Sequence, residues 1–163
     1  MKIGVVVKTL YLLRHAEAEK RVLLEDLERK LTEVGKNQVI DLAKKIKEQK
    51  INFDIALCSI SQRTIETCSA LLENSSPKTK IENRASLYDP SVEDLIANIE
   101  TLDNNVNSAL IVSHNPAISE LRNLLSSEES GLTYFNPADM EILKLDIDTW
   151  QDVKANCARA SKV

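Results

Sequence analysis

Two short apolar runs, each ending at a histidine, constrain the fold of this chain more than any other feature. Tyr11-Leu12-Leu13 passes into Arg14-His15, and Ala109-Leu110-Ile111-Val112-Ser113 passes into His114-Asn115-Pro116. Runs this short, without alternating polar residues, fit strands buried on both faces, and such strands occur in sheets covered by helices on each side. The chain has 163 residues and no histidines besides these two. In open α/β sheets, ligands bind beyond the carboxyl ends of the strands. Two imidazoles delivered to two such ends can therefore share one pocket despite their distance in sequence.

The rest of the chain alternates in the same style. A first strand falls within Ile3–Leu13, either as one long strand or with a lead-in before Lys8-Thr9. Residues 17 to 30 are charged and fit a loop with a short helix. Thr32 is placed to cap a helix that carries Val39, Ile40, Ala43 and Ile46 at helical spacing to about Gln49. Ile55 to Cys58 forms a short buried strand. Ser59, with Gln62 three residues on, has the spacing of a capping box, and the helix it opens ends at Asn74-Ser75-Ser76-Pro77. A short strand is expected near Thr79–Glu82. Ser91, with Asp94 at the third helical position, opens a helix to about Leu102. A further helix carries Ile118, Leu121, Leu124 and Leu125. Met140 to Ile147 alternates approximately with period two, as an edge strand with one wet face does, and the tail after Trp150 is polar and reads as loose. The pattern predicts a single α/β domain over residues 1–163, with its core at about 10–150. Alternating strands and helices imply an α/β sandwich around a mostly parallel sheet with an edge strand.

Composition narrows the function. Aromatic residues make up 4% of the chain, so the core must be aliphatic. A net charge of −4 with no long basic block gives no support for a nucleic-acid-binding face. No segment approaches the ~20 apolar residues of a membrane span. Residues 1–13 resemble a signal peptide only faintly, because Lys8 interrupts the apolar stretch. Cys58, Cys68 and Cys157 are an odd number without metal-type spacing, which suits a reducing cytoplasm; Cys58 and Cys68 read as small buried hydrophobes rather than nucleophiles.

An Arg-His pair at a strand end suits phosphoryl chemistry. A neutral imidazole is nucleophilic near its unperturbed pKa of ~6.5. Transfer of a phosphoryl group needs positive donors around its three equatorial oxygens. Arg14 supplies a planar bidentate donor beside His15. Arg63, just past the first turn of a helix opened by Ser59, supplies a second near free backbone N–H groups. His114 can donate to the same oxygens, and Arg29 can close over them from the loop after His15. Taken singly, each residue has a blander reading, as a surface arginine or a hydrogen-bonded structural histidine. Their joint placement at one sheet edge, with Arg29 on a loop that starts there, favours a common pocket.

Four segments in order resemble the histidine phosphatase superfamily, the phosphoglycerate-mutase-like fold, and within it the SixA-type phosphohistidine phosphatases. The first is Leu12-Leu13-Arg14-His15-Ala16-Glu17-Ala18-Glu19. The second holds Asp26, Arg29, Leu31, Thr32, Gly35 and Gln38, and the third Cys58, Ser59, Arg63, Thr64 and Thr67. The fourth is Val112-Ser113-His114-Asn115-Pro116 followed by Ile118-Ser119-Glu120-Leu121. The resemblance covers roughly residues 10 to 150. It implies a three-layer αβα sandwich, its mostly parallel sheet carrying an antiparallel edge strand. It also implies that His15 accepts the phosphoryl group, that Arg14, Arg63 and His114 complete the phosphate-binding core with help from Arg29, and that neither metal nor cofactor takes part. The chain departs from the family in having Ile60 and Lys30 where proline is usual and in the extra residues 1–8.

Many relatives protonate the leaving group with a carboxylate. Asp89, before Pro90, is the best-placed candidate here, and a plain turn is an equal reading of Asp89-Pro90. The implied partners are a phosphorylated protein, such as a phosphorelay histidine domain, and the phosphate ion, with no nucleic acid or membrane. The short chain carries no large insertion to form a lid, which suits a protein substrate. The alternatives are a small-molecule phosphomonoesterase or mutase of the same superfamily, a non-catalytic phosphoprotein-binding module, and an unrelated α/β binding domain.

Overall fold

Strict alternation of side chains along the central strands divides the core in two, and this division fixes the layering. The structure is a computed structural model that describes residues 7–20, 25–127 and 131–163. The described strands are β1 (Lys8–Arg14), β2 (Ile55–Ser59), β3 (Lys80–Arg84), β4 (Ser108–Ser113), β5 (Met140–Leu145) and β6 (Ala158–Lys162). The helices are α1 (Glu33–Glu48), α2 (Gln62–Ser75), α3 (Val92–Glu100) and α4 (Ala117–Leu125), with short 3-10 turns between. Leu10, Leu12, Ala109 and Ile111 point to the face holding Leu95, Ile99, Ile118, Leu121 and Trp150, where α3 and α4 pack. Tyr11, Leu13, Leu110 and Val112 point to the other face, against Val39, Ile46 and Leu71 of α1 and α2. Burying one such leucine contributes roughly 1.5–3 kcal/mol, so residues buried on both faces make β1 and β4 the spine of the molecule.

The sheet order is β3-β2-β4-β1-β5-β6. β1, β4, β2 and β3 are parallel; β5 pairs antiparallel with β1, and β6 pairs antiparallel with β5 and so runs in the direction of β1. The architecture is the expected three-layer sandwich. The chain leaves β1 toward α1 on one face and leaves neighbouring β4 toward α4 on the other. The two exit loops therefore diverge, and a crevice opens between them at the carboxyl ends. The register sets Arg14 opposite Ser113, so His15 and His114 leave the sheet side by side.

The Thr32 and Ser91 caps form as the sequence predicts: Thr32 Oγ1 accepts from the Gly35 N–H, and Ser91 and Asp94 make a reciprocal capping box. Three expectations fail. The Ser59 capping box does not form; Ser61 is the N-cap of α2, and Ser59 stays in β2, where His114 engages its hydroxyl. Two serines two residues apart offered alternative helix starts, and a partner just past β4, the strand beside β2 in the sheet but distant in sequence, claimed the first. Arg63 consequently lies within the first turn of α2 rather than past it. Second, β5 is not an edge strand: β1 pairs on one side of it and β6 on the other, and Glu141 is buried against Arg122. Third, the tail is not loose. Residues 158–162 form the edge strand β6, with Ala158 buried and Arg159, Ser161 and Lys162 exposed. A polar edge strand carries little apolar periodicity, so its sequence looks like a tail. Residues 3–6 of the expected first strand and residues 21–24 of the charged loop lie outside the described residues. Among the described residues, no helix is long and apolar enough to cross a membrane.

Candidate active site

The loop after β1 is tied down on both sides. The Ala16 N–H donates to Thr67 Oγ1 of α2 at 3.1 Å, and the Glu17 N–H donates to Gln38 Oε1 of α1 at 2.9 Å. Thr32 returns three bonds to Glu17, from its N–H to the carbonyl at 3.0 Å and from its hydroxyl to Oε1 at 2.8 Å and to the carbonyl at 3.4 Å. Gly35 is required here, because a Cβ at this position would overlap the Glu17 carbonyl oxygen. Backbone pairing from His15 N–H to the Ser113 carbonyl at 3.3 Å completes the anchorage. Thr32, Gly35, Gln38 and Thr67 thus all act to hold the segment that presents His15.

The ring of His15 is oriented by its own neighbour. Nδ1 lies 2.8 Å from the Ala16 carbonyl oxygen, which can only accept, so Nδ1 carries the proton in the neutral ring and Nε2 carries the lone pair. Arg63 Nε donates to that Nε2 at 3.3 Å. The His114 ring centroid lies 5.3 Å from that of His15. Its Nε2 is 2.8 Å from Ser59 Oγ, and its Nδ1 is 3.4 Å from an Arg63 terminal nitrogen. Arg63 has no acceptor, so Nδ1 of His114 faces it with its lone pair and Nε2–H donates to Ser59.

Arg14 is held by the Phe135 carbonyl, which accepts its NH1 at 2.7 Å and also the Asn115 side-chain amide at 2.7 Å. Among the described residues, the Arg14 Nε is the one buried side-chain polar atom without a partner. A buried guanidinium N–H left open marks a place where an acceptor is missing. Arg29 pairs with Asp26 at 2.9 Å and donates Nε to the Glu19 carbonyl at 2.6 Å. Arg14, His15, Arg29, Arg63, Asp89 and His114 all line one cavity of about 430 Å³, together with Asp26, Tyr88 and Asn115. The structure therefore brings together all six residues singled out from the sequence. Asp89 lies exposed in the lining, with a left-handed backbone (φ 49°) before Pro90 and no side-chain hydrogen bond among the described residues.

Sequence reasoning assigned no role to Ser59 beyond a cap, and none to Tyr88 or Asn115. Tyr88 stacks edge-on against His114 at 5.8 Å and donates its hydroxyl to Asp26 at 2.7 Å. The Asp26–Arg29 ion pair has i,i+3 spacing, a signal that was readable. Nothing local announces the partners of Ser59 and Tyr88. Cys58 is fully buried, and its thiol is pushed up by the neighbouring Cys68 and by burial, which fits the inert reading. Among the described residues, no group of three or more metal-ligating side chains is placed to hold an ion.

Both imidazoles are neutral in this setting. Burial is the largest cause for His15, lowering its pKa to about 4; the bond to the Ala16 carbonyl opposes it, and the fields of Arg63, Arg14 and Arg29 add to it. Burial also leads for His114, lowered to about 3, followed by Arg63 and His15. The unfolded chain takes up protons near pH 6.5 while the folded chain does not, so stability falls as pH drops below 6.5. The expected loss is roughly 1.5 kcal/mol per imidazole between pH 6.5 and 5. Urea unfolding across that range checks it. The slope should flatten when both histidines are replaced by glutamine, and an unchanged slope contradicts the assignment.

A model of the histidine phosphatase superfamily (branch 1) matches residues 10–95. This chain belongs to the histidine phosphatase superfamily. The matched segment holds His15, Arg14 and Arg63; His114 lies beyond it and is joined to the same pocket by the sheet. Membership makes the chain an enzyme of the phosphatase class. Among solved structures, the chain is similar to a protein assigned as the phosphohistidine phosphatase SixA of Nakamurella multipartitia. The two are 23% identical, with 96% of this chain and 94% of that one covered at a TM-score of 0.80. It is also similar to the protein histidine phosphatase SixA complexed with tungstate, at 20% identity, 95% and 94% coverage and a TM-score of 0.77. A chain assigned as an alpha-ribazole-5'-P phosphatase from Escherichia coli K-12 follows at 17% identity, 96% and 95% coverage and a TM-score of 0.67. At these identities the likenesses establish the fold that the superfamily member shares with them. No curated protein sequence matches significantly.

Proposed function

We propose that this protein hydrolyses protein phosphohistidine through a phosphoenzyme formed on His15. The observation that carries this reading is the orientation of the His15 ring: Nδ1 is locked to a carbonyl, and Nε2 presents its lone pair in a cavity lined by three arginines. In the first step, Nε2 of His15 bonds to phosphorus as the bond from phosphorus to the substrate nitrogen breaks. That nitrogen takes up a proton and departs as neutral imidazole. Arg14 and Arg63 stabilise the equatorial oxygens, and the open Nε–H of Arg14 gains its acceptor. His114 can donate to the same oxygens only after Nδ1 is protonated, and an arriving dianion favours that proton. Water then attacks phosphorus, giving phosphate and restoring neutral His15. The SixA complexed with tungstate holds an oxyanion on this fold, in keeping with a phosphoryl-sized ligand here.

The choice of a phosphoramidate over an ester rests on Asp89. It is exposed, and no neighbour among the described residues fixes its carboxylate. An alkoxide leaving group needs a positioned acid, whereas an imidazole nitrogen is protonated readily near neutral pH. Competing hydrolysis of a phosphohistidine protein and an alkyl phosphate tests this. The phosphohistidine substrate should be favoured by about 10²-fold or more in kcat/KM, and equal efficiency would sink the assignment. The presence of Asp89 in the cavity lining favours the second reading, a small-molecule phosphomonoesterase. In that case Asp89→Asn should slow the ester reaction selectively.

A further inference from the structure

Asp26 places a negative charge inside a pocket built for an anion. Its Oδ1 accepts from Arg29 at 2.9 Å, and its Oδ2 accepts from Arg63 at 3.0 Å and from the Tyr88 hydroxyl at 2.7 Å. Its backbone carbonyl takes a further Arg63 nitrogen at 2.7 Å. Two of the three arginines of the cavity therefore direct donors to a carboxylate of the protein itself. Partial burial works to raise the Asp26 pKa, but the bonds from Tyr88, Arg29 and Arg63 outweigh it and hold the carboxyl far below the usual carboxylate range. The group is ionised at any working pH, receives three side-chain donors and has no proton to give. It is not a second candidate for the acid.

A carboxylate and a phosphoryl oxygen want the same thing from a guanidinium group: a short, charge-assisted hydrogen bond in the plane of the fork. Both cannot hold the same N–H, and as like charges they repel at contact range. We propose that Asp26 is an internal competitor for the phosphoryl group. It holds Arg29 and Arg63 in place while the pocket is empty, weakens the grip on inorganic phosphate, and recovers the arginine donors as the product leaves. This rests on the reading of the cavity as a phosphoryl site and adds to it a residue that limits product retention. A purely structural ion pair has the opposite signature. Its loss would leave Arg63 unsupported, and phosphate would bind more weakly.

Calorimetric titration of the full-length protein with inorganic phosphate at pH 7.5 separates the two. Asp26→Asn keeps an oxygen acceptor for the arginines and removes the charge. It should bind phosphate at least about tenfold more tightly than wild type, the scale of one like charge removed beside a dianion in a partly wetted site. Asp26→Glu restores the charge and should stay within roughly threefold of wild type on the same scale. Equal or weaker binding by Asp26→Asn overturns the proposal. A second measurement needs no variant: the ¹³C carboxyl resonance of Asp26 in the wild-type protein should shift as phosphate is added, and a resonance that stays put while phosphate binds also overturns it. If the phosphoryl-site reading itself is wrong, the result looks different, because phosphate then binds neither wild type nor any variant.

Discussion

Replacing His15 with alanine is expected to lower kcat/KM by on the order of 10⁴-fold or more while leaving the fold intact. The size follows from the part this ring plays. No other described side chain in the cavity presents a lone pair positioned by a carbonyl on the opposite ring nitrogen. Both imidazoles face Arg63, but His114 is the more deeply buried of the two and is anchored through the Ser59 hydroxyl rather than a backbone carbonyl. Cys58 is buried with its thiol pushed up. Among the described residues of the cavity there is thus no ready substitute nucleophile. His15 is also only partly buried, and the loop around it is held by the Ala16 and Glu17 backbone rather than by the imidazole. Removing the ring should therefore cost activity far more than stability. Steady-state kinetics beside a urea denaturation curve checks both. Retention of more than about 1% of wild-type kcat/KM would remove His15 from the nucleophile's role.

Arg63→Ala is expected to cost about 10³-fold in kcat/KM, with most of the loss in kcat. Its guanidinium touches Nε2 of His15, Nδ1 of His114, and both the carbonyl and the carboxylate of Asp26. One planar group thus fixes the spacing of both imidazoles and supplies charge where the phosphoryl oxygens must lie. Arg63→Lys restores the charge but not the fork, so it should recover less than about a tenth of the lost activity. Full recovery by lysine would mean that a point charge suffices and that the geometry described here is incidental. Loss of less than tenfold in Arg63→Ala would place the phosphoryl group elsewhere in the cavity.

How far the sequence discloses this site depends on the range of the interactions involved. The strand runs ending at His15 and His114 were legible because burial on both faces leaves a continuous apolar signature. Thr32 and Ser91 were legible because a cap is satisfied within three residues of chain. Ser59 shows the limit of that logic. Its spacing to Gln62 was right for a cap, but the hydroxyl serves His114, a residue in the loop that follows the neighbouring strand β4. Asp26 and Tyr88 lie still further from local rules. Their pairing joins the charged loop to the turn after β3, and only the folded sheet brings the two segments together. The edge strand β6 was hidden for a different reason: one face meets solvent and the other is covered mainly by alanine, so the period-two contrast is faint.

The most direct test of the central claim is to trap the phosphoenzyme. Brief exposure of the wild-type protein to a labelled phosphohistidine donor should leave an acid-labile, base-stable label on one residue. Peptide mapping and ³¹P spectroscopy should place it on His15, at Nε2. Label on His114, on Cys58, on Nδ1 of His15, or on no residue while turnover proceeds would contradict the account.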